Sequence, residues 1–243
     1  MYPSPKMSAY DRAATMFSPD GRLYQVEYAS KIVSQGTLGL GLVYDKGVIF
    51  GADKKTASRL LIPESIEKLF VIDDHIAAVS SGLVGDARRL VEIAREKSQE
   101  NMMHYEEPIH VETLVKEVSG IKQAFTQYGG MRPFGVSFII GGVDESGKRL
   151  FETEPSGALA EYKAIAIGAG RNEAMELFEK EYKDAMSYEE GIALMLKAIK
   201  RVLPEHEKID ASRLDFGYID LRMKYNQIPK EEMKIHLNNF SKK

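Results

Sequence analysis

The chain has 243 residues, 44% hydrophobic and 28% charged, close to an average globular make-up and long enough to bury a core without covalent staples. Its 33 Lys and Arg against 36 Asp and Glu leave a net charge of −3, which argues against a general nucleic-acid binder or a polybasic membrane binder. No cysteine is present, which removes disulfides, thiol nucleophiles and cysteine metal sites and fits a reducing, cytoplasmic setting.

The longest stretch without a charged residue or histidine, Ile32–Tyr44, is well short of the ~20 residues a spanning helix needs. The first ten residues hold no apolar signal core. Residues 1–17 carry Pro3, Ser4 and Pro5 without a sustained period and read as a mobile arm ahead of a single domain over 18–243. Ser18-Pro19-Asp20-Gly21 is a turn and helix-start signal. Leu23, Val26, Ser30 and Val33 follow at helical spacing, which predicts a helix at about 20–34 stopped by Gly36.

Strands are predicted next at Thr37–Tyr44, Val48–Asp53, Lys68–Ile72 and Ile76–Ser80, with turns at Asp45-Lys46-Gly47 and Asp73-Asp74. They are too closely spaced for crossover helices, so the sheet should be largely antiparallel. Helical periodicity marks Asp86–Met103 and Val111–Tyr128. The loop Gly129–Gly135 leads to strands at Val136–Val143, Arg149–Glu154 and Tyr162–Ile167. Helices follow at Asn172–Met186 and Tyr188–Leu203, then a strand at Leu214–Arg222 and a helix at Glu231–Phe240. Strands, helix pair, strands, helix pair, strand: this order suits two antiparallel sheets between helix pairs, a four-layer α+β sandwich.

Few motifs carry chemistry. Gly168-Ala-Gly170 sits between strand and helix like a dinucleotide loop, but the third glycine is missing. Glu173 stands there and would face a pyrophosphate, so a tight turn is the better reading. The five histidines are scattered, so no metal site is expected, and no cofactor. Val79-Ser80-Ser81-Gly82 lacks the leading glycine of a nucleophile elbow. Thr37, Asp53 and Lys68 fall at strand ends and could form an amine-assisted threonine nucleophile. An N-terminal threonine hydrolase, however, uses the free α-amine of that threonine as its base. Thirty-six residues precede Thr37, so its nitrogen is locked in a peptide bond unless the chain is cut after Gly36. A self-processing threonine hydrolase with Thr37 as nucleophile is therefore the alternative reading.

The stretch Tyr10-Asp-Arg-Ala-Ala-Thr-Met-Phe-Ser-Pro-Asp-Gly-Arg-Leu-Tyr-Gln-Val-Glu-Tyr-Ala29 closely resembles proteasome α subunits. The likeness continues through Ser65–Phe70, Ser81–Arg88, Thr126–Ser137 and Glu161–Gly168, and so runs over almost the whole chain. The intact Tyr-Asp-Arg and the compact C-terminus look archaeal. The resemblance implies an αββα sandwich of the N-terminal nucleophile hydrolase type. It implies a homo-heptameric α ring capping the β subunits of a 20S core, with no catalysis by this chain: the β subunits carry the exposed threonine. Gating and docking are the functions it implies. The arm would obstruct the pore through which unfolded proteins pass. Tyr10, Asp11, Arg12, Pro19 and Tyr28 match a cluster that holds the open gate. Lys68 matches a lysine that pairs with the C-terminal carboxylate of a regulatory AAA-type ATPase or other activator, in a pocket whose other matching positions are Gly21, Glu27, Gly36, Gly82 and Leu83. Thr37 would occupy the ancestral nucleophile's place without its chemistry.

Overall fold

The computed structural model describes residues 15–55, 60–62, 65–204, 207 and 209–241. Tyr10, Asp11 and Arg12 lie outside the described residues, as does most of the expected arm. Described elements begin with helix α1, Tyr24–Gln35. It starts later than the capping pattern predicts, because Ser18 closes a turn of its own. Its hydroxyl accepts from the Arg22 amide at 3.1 Å, and its backbone pairs with Arg22 and Gly21. Gly21 takes φ +74° there, a left-handed conformation that glycine adopts without strain. At the other end Gly36 is extended, and its amide donates to Val33 O.

Among the described residues ten strands form two sheets, with every pair antiparallel. The first sheet contains β1 (Gly39–Tyr44), β2 (Gly47–Asp53), β8 (Ala164–Ile167), β9 (Leu214–Asp220) and β10 (Tyr225–Gln227), in the order β10-β9-β2-β1-β8. The second contains β3 (Leu69–Asp73), β4 (Ile76–Gly82), β5 (Val136–Asp144), β6 (Gly147–Thr153) and β7 (Leu159–Glu161), in sequence order. Helices α2 (Val84–Tyr105) and α3 (Val111–Ala124) cover the second sheet. Helices α4 (Arg171–Glu181) and α5 (Tyr188–Val202) cover the first, and α6 (Lys230–Ser241) packs on α5. The expected αββα sandwich of the N-terminal nucleophile hydrolase type is what these layers build.

Alternation along the strands explains the layers. In β2, Val48, Phe50 and Ala52 face the other sheet while Ile49 joins the cluster under α4 and α5. In β5, Val136, Phe138 and Ile140 face α2 and α3 while Ile139 faces inward. Both faces of these strands are buried, which is why they read as continuous apolar runs.

One expectation is corrected and one strand is unforeseen. The single strand predicted at Tyr162–Ile167 holds all of β8 in one sheet, and β7 of the other sheet lies just before it. The chain crosses between sheets at Tyr162 and Lys163, whose backbones bond Leu150 O and Val43 N. Apolar alternation shows extended backbone but not which sheet it joins. Strand β10, two half-exposed residues and exposed Gln227 paired to β9, has no pattern long enough to reveal it.

Candidate functional site

Strand pairing gathers Thr37, Asp53 and Lys68 at one end of the space between the sheets. The Asp53 amide donates to Leu38 O at 3.0 Å, which sets the start of β1 beside the end of β2. The Ser80 amide donates to Lys68 O at 3.0 Å, which brings the start of β3 alongside β4. Thr37 donates its hydroxyl proton to Asp53 O at 2.6 Å. Lys68, 6% exposed, donates its ammonium to Thr37 O at 2.7 Å and also to Thr37 Oγ1.

The Asp53 carboxylate does not face this ammonium as an ion pair. Arg213, from a short 3-10 turn ahead of β9, grips it with two bonds of 2.7 and 2.6 Å. Lys54 is likewise matched with Asp215 at 2.8 Å. Burial pushes the Lys68 pKa down to about 8; Asp53 opposes this and Lys54 adds to it. Lys68 is thus a mainly charged buried cation at neutral pH, and among the described residues no carboxylate lies within ion-pairing distance of it.

The surroundings join this cluster to α1. Ser81 Oγ lies 3.1 Å from Thr37 O and 3.2 Å from Val33 O in the last turn of α1. The Ala169 amide donates to Gly36 O at 2.7 Å. Gly36 and Gly82 meet so closely that a Cβ on Gly36 would strike Ser81 Oγ and the Gly82 amide. A side chain on Gly82, at φ +118°, would collide with Gly135 O. Leu83 follows, 38% exposed, its amide bonded to Gly135 O at 2.8 Å. The structure therefore brings Lys68, Gly36, Gly82 and Leu83 to one place.

Gly21 and Glu27 stand at the other end of α1, with exposed Pro19. Arg22 binds the Glu27 carboxylate, at 2.6 Å through Nε, and holds its pKa below the usual glutamate range. Tyr28 is 41% exposed on the same helix. Beneath α1 a cavity of about 560 Å³ is lined by Ser30, Val33, Ser137, Glu154 and the Gly168–Glu173 turn, among others. Gly168 and Gly170 take φ of +90° and +78° in that turn, and a Cβ on Gly170 would strike Val202. This is strand-to-helix geometry built for packing, with Glu173 in the first turn of α4.

Sequence reasoning misses Arg213 and the positioning place of Ser81. Arg213 lies 160 residues from Asp53, and no local signal announces the pair. In the sequence Ser81 reads as part of a strand-end turn, with nothing to show which groups it would join. Chemically the Thr37 nitrogen is an amide that cannot accept a proton, and Asp53 is committed to Arg213. Among the described residues no group of three or more His, Asp or Glu could hold a metal ion. None of their helices is long and apolar enough to cross a membrane.

Comparison with known proteins agrees with this geometry. The family model for the proteasome subunit matches residues 33–219, and the model for the N-terminal signature of A-type proteasome subunits matches residues 10–31. The chain is 51% identical over 216 residues to a proteasome alpha subunit from Methanopyrus kandleri, covering 89% of this chain and 87% of that one. It is 49% identical over 244 residues to the proteasome alpha subunit of Methanosarcina barkeri, covering 100% and 97%. With that of Archaeoglobus fulgidus it shares 49% over 226 residues, covering 93% and 91%. An inert threonine site, an α-type N-terminal signature and about half the residues in common with archaeal α subunits lead to one assignment: the chain belongs to the proteasome subunit family, as an α subunit of the proteasome core.

Proposed function

We propose that this α subunit gates and docks rather than cuts. Seven copies would form the outer ring over β subunits that supply a threonine-type endopeptidase. The segment before Ser18, including Tyr10, Asp11 and Arg12, would obstruct the pore with its counterparts, and Pro19 and Tyr28 would help hold the open state. The Lys68 cluster would receive the C-terminal carboxylate of a regulatory AAA-type ATPase, so that unfolded proteins are admitted to the chamber.

One observation carries the docking reading. Lys68 is a buried cation whose nearest acidic neighbour, Asp53, is already held by Arg213. A buried charge favours an opposite charge, and a charge-assisted hydrogen bond contributes roughly 1.5–3 kcal/mol. Leu83, next in sequence to the close Gly36–Gly82 contact, is exposed at the surface. One chain keeps Gly21 and Glu27 at the far end of α1, so they would complete such a pocket only from a neighbouring copy in the ring. Several pockets around a ring would turn weak single tails into firm docking.

The assembled particle tests both parts. Removing residues through Arg12 should raise peptide hydrolysis several-fold without an ATPase; an unchanged rate rejects the arm as gate. Lys68→Ala should abolish stimulation of peptide hydrolysis by the ATPase; retained stimulation rejects the pocket. A chain found by intact mass to begin at Thr37 would instead favour the self-processing hydrolase.

A further inference from the structure

The Lys68 ammonium is seated rather than free. Two of its three protons point at one residue: Thr37 O at 2.7 Å, and Thr37 Oγ1. Thr37 is itself fixed. Its hydroxyl proton goes to Asp53 O at 2.6 Å, which turns an oxygen lone pair toward Lys68. Asp53 is fixed in turn by the two-pronged Arg213 bond, and Thr37 O lies in reach of Ser81 Oγ as well. The third ammonium proton has no acceptor among the described residues.

We infer that Thr37 is the positioning residue for Lys68: its carbonyl and hydroxyl oxygens hold the ammonium so that one N–H remains for an incoming carboxylate. This rests on the docking reading above. The residue at the nucleophile's place thus keeps a use that needs its hydroxyl but not its nucleophilicity. Serine should serve equally, whereas valine, of the same shape, should not. The charged groups facing Lys68 are Asp53 at the end of β2, with Arg213 behind it, and Lys54, with Asp215 of β9 behind it. The end of α1 and strand β4 present Gly36 and Ser81, which carry no charge.

The test uses the full assembled chain and a synthetic octapeptide copying the C-terminus of a proteasome-activating ATPase, followed by fluorescence anisotropy from neutral to alkaline pH. Wild-type binding should fade as pH rises past the Lys68 pKa of about 8. Thr37→Val should weaken binding about tenfold, the size of one charge-assisted hydrogen bond. It should also move the midpoint to lower pH, because the charged form loses an acceptor. Thr37→Ser should restore both. Should Thr37→Val not fold, Thr37→Ala gives the same comparison. Lys68→Met binding as well as wild type overturns the docking reading itself. Lys68→Met losing binding while Thr37→Val keeps wild-type affinity and midpoint overturns this inference alone. So does a Thr37→Val variant with a lowered melting temperature but an unmoved midpoint.

Discussion

Two lysine–threonine pairs occupy two layers of the molecule. Lys68 donates to the carbonyl and hydroxyl of Thr37; Lys122, on α3, donates to the carbonyl and hydroxyl of Thr153 on β6, at 2.9 and 3.0 Å. Burial lowers both lysines, to about 8 and about 7. Their surroundings differ. Lys122 is wholly enclosed, 5.8 Å above the Phe138 ring, with Glu152 and Glu154 near enough to favour its charge. Lys68 has its acidic neighbour drawn off by Arg213 and lies in the cluster that Ser81 joins to the end of α1, with exposed Leu83 two residues beyond Ser81. A buried lysine in good geometry is therefore not a site by itself. What makes Lys68 a candidate is charge left uncompensated within reach of the surface.

Breaking the pair behind Lys68 should have the largest effect. Arg213→Met leaves the Asp53 carboxylate buried without its partner, which should cost about 3–5 kcal/mol in chemical denaturation. The freed carboxylate becomes available to Lys68, so affinity for a free-acid tail peptide should fall as well. Lys122→Ala should cost about 2–5 kcal/mol by opening a gap in the core, yet leave tail-peptide affinity unchanged. Denaturation and anisotropy on the same preparations separate the two lysines.

A smaller effect appears in pH dependence. A lysine whose folded pKa is lowered binds its proton less readily folded than unfolded. Below pH about 7 Lys122 is protonated in both states and the penalty is complete. Stability should rise as pH climbs from there toward the ordinary lysine value, with Lys68 adding from about 8 upward. Lys122→Met should flatten the early part of that rise in melting temperature, and an undiminished slope would mean Lys122 is not its source. Least of all, Thr153→Val should cost about 1–2 kcal/mol by removing one acceptor from Lys122. Unlike Thr37→Val, it should leave peptide binding alone.

Much of this comparison is legible in sequence. The order of strands and helix pairs follows from periodicity, and Thr37, Asp53 and Lys68 can be placed at neighbouring strand ends. Arg213 cannot, because a side chain contributed from far along the chain leaves no spacing to read. Lys122 is hidden differently: it sits on a helix face whose neighbours Val115, Val118 and Ser119 are buried with it, and a charged residue there reads as solvent-facing. The start of α1 is read too early because Ser18 caps a turn as readily as a helix. The crossing at Tyr162 is lost because the strands on either side of it are both extended and nothing in their residues says which sheet each joins.

The most direct measurement compares one tail octapeptide as free acid and as C-terminal amide, bound to wild type, Lys68→Met and Lys122→Met. If Lys68 is the carboxylate's partner, the acid binds wild type about tenfold more tightly than the amide, a preference that Lys122→Met keeps and Lys68→Met loses. Equal binding of acid and amide to wild type, or an acid preference that survives Lys68→Met, would contradict it.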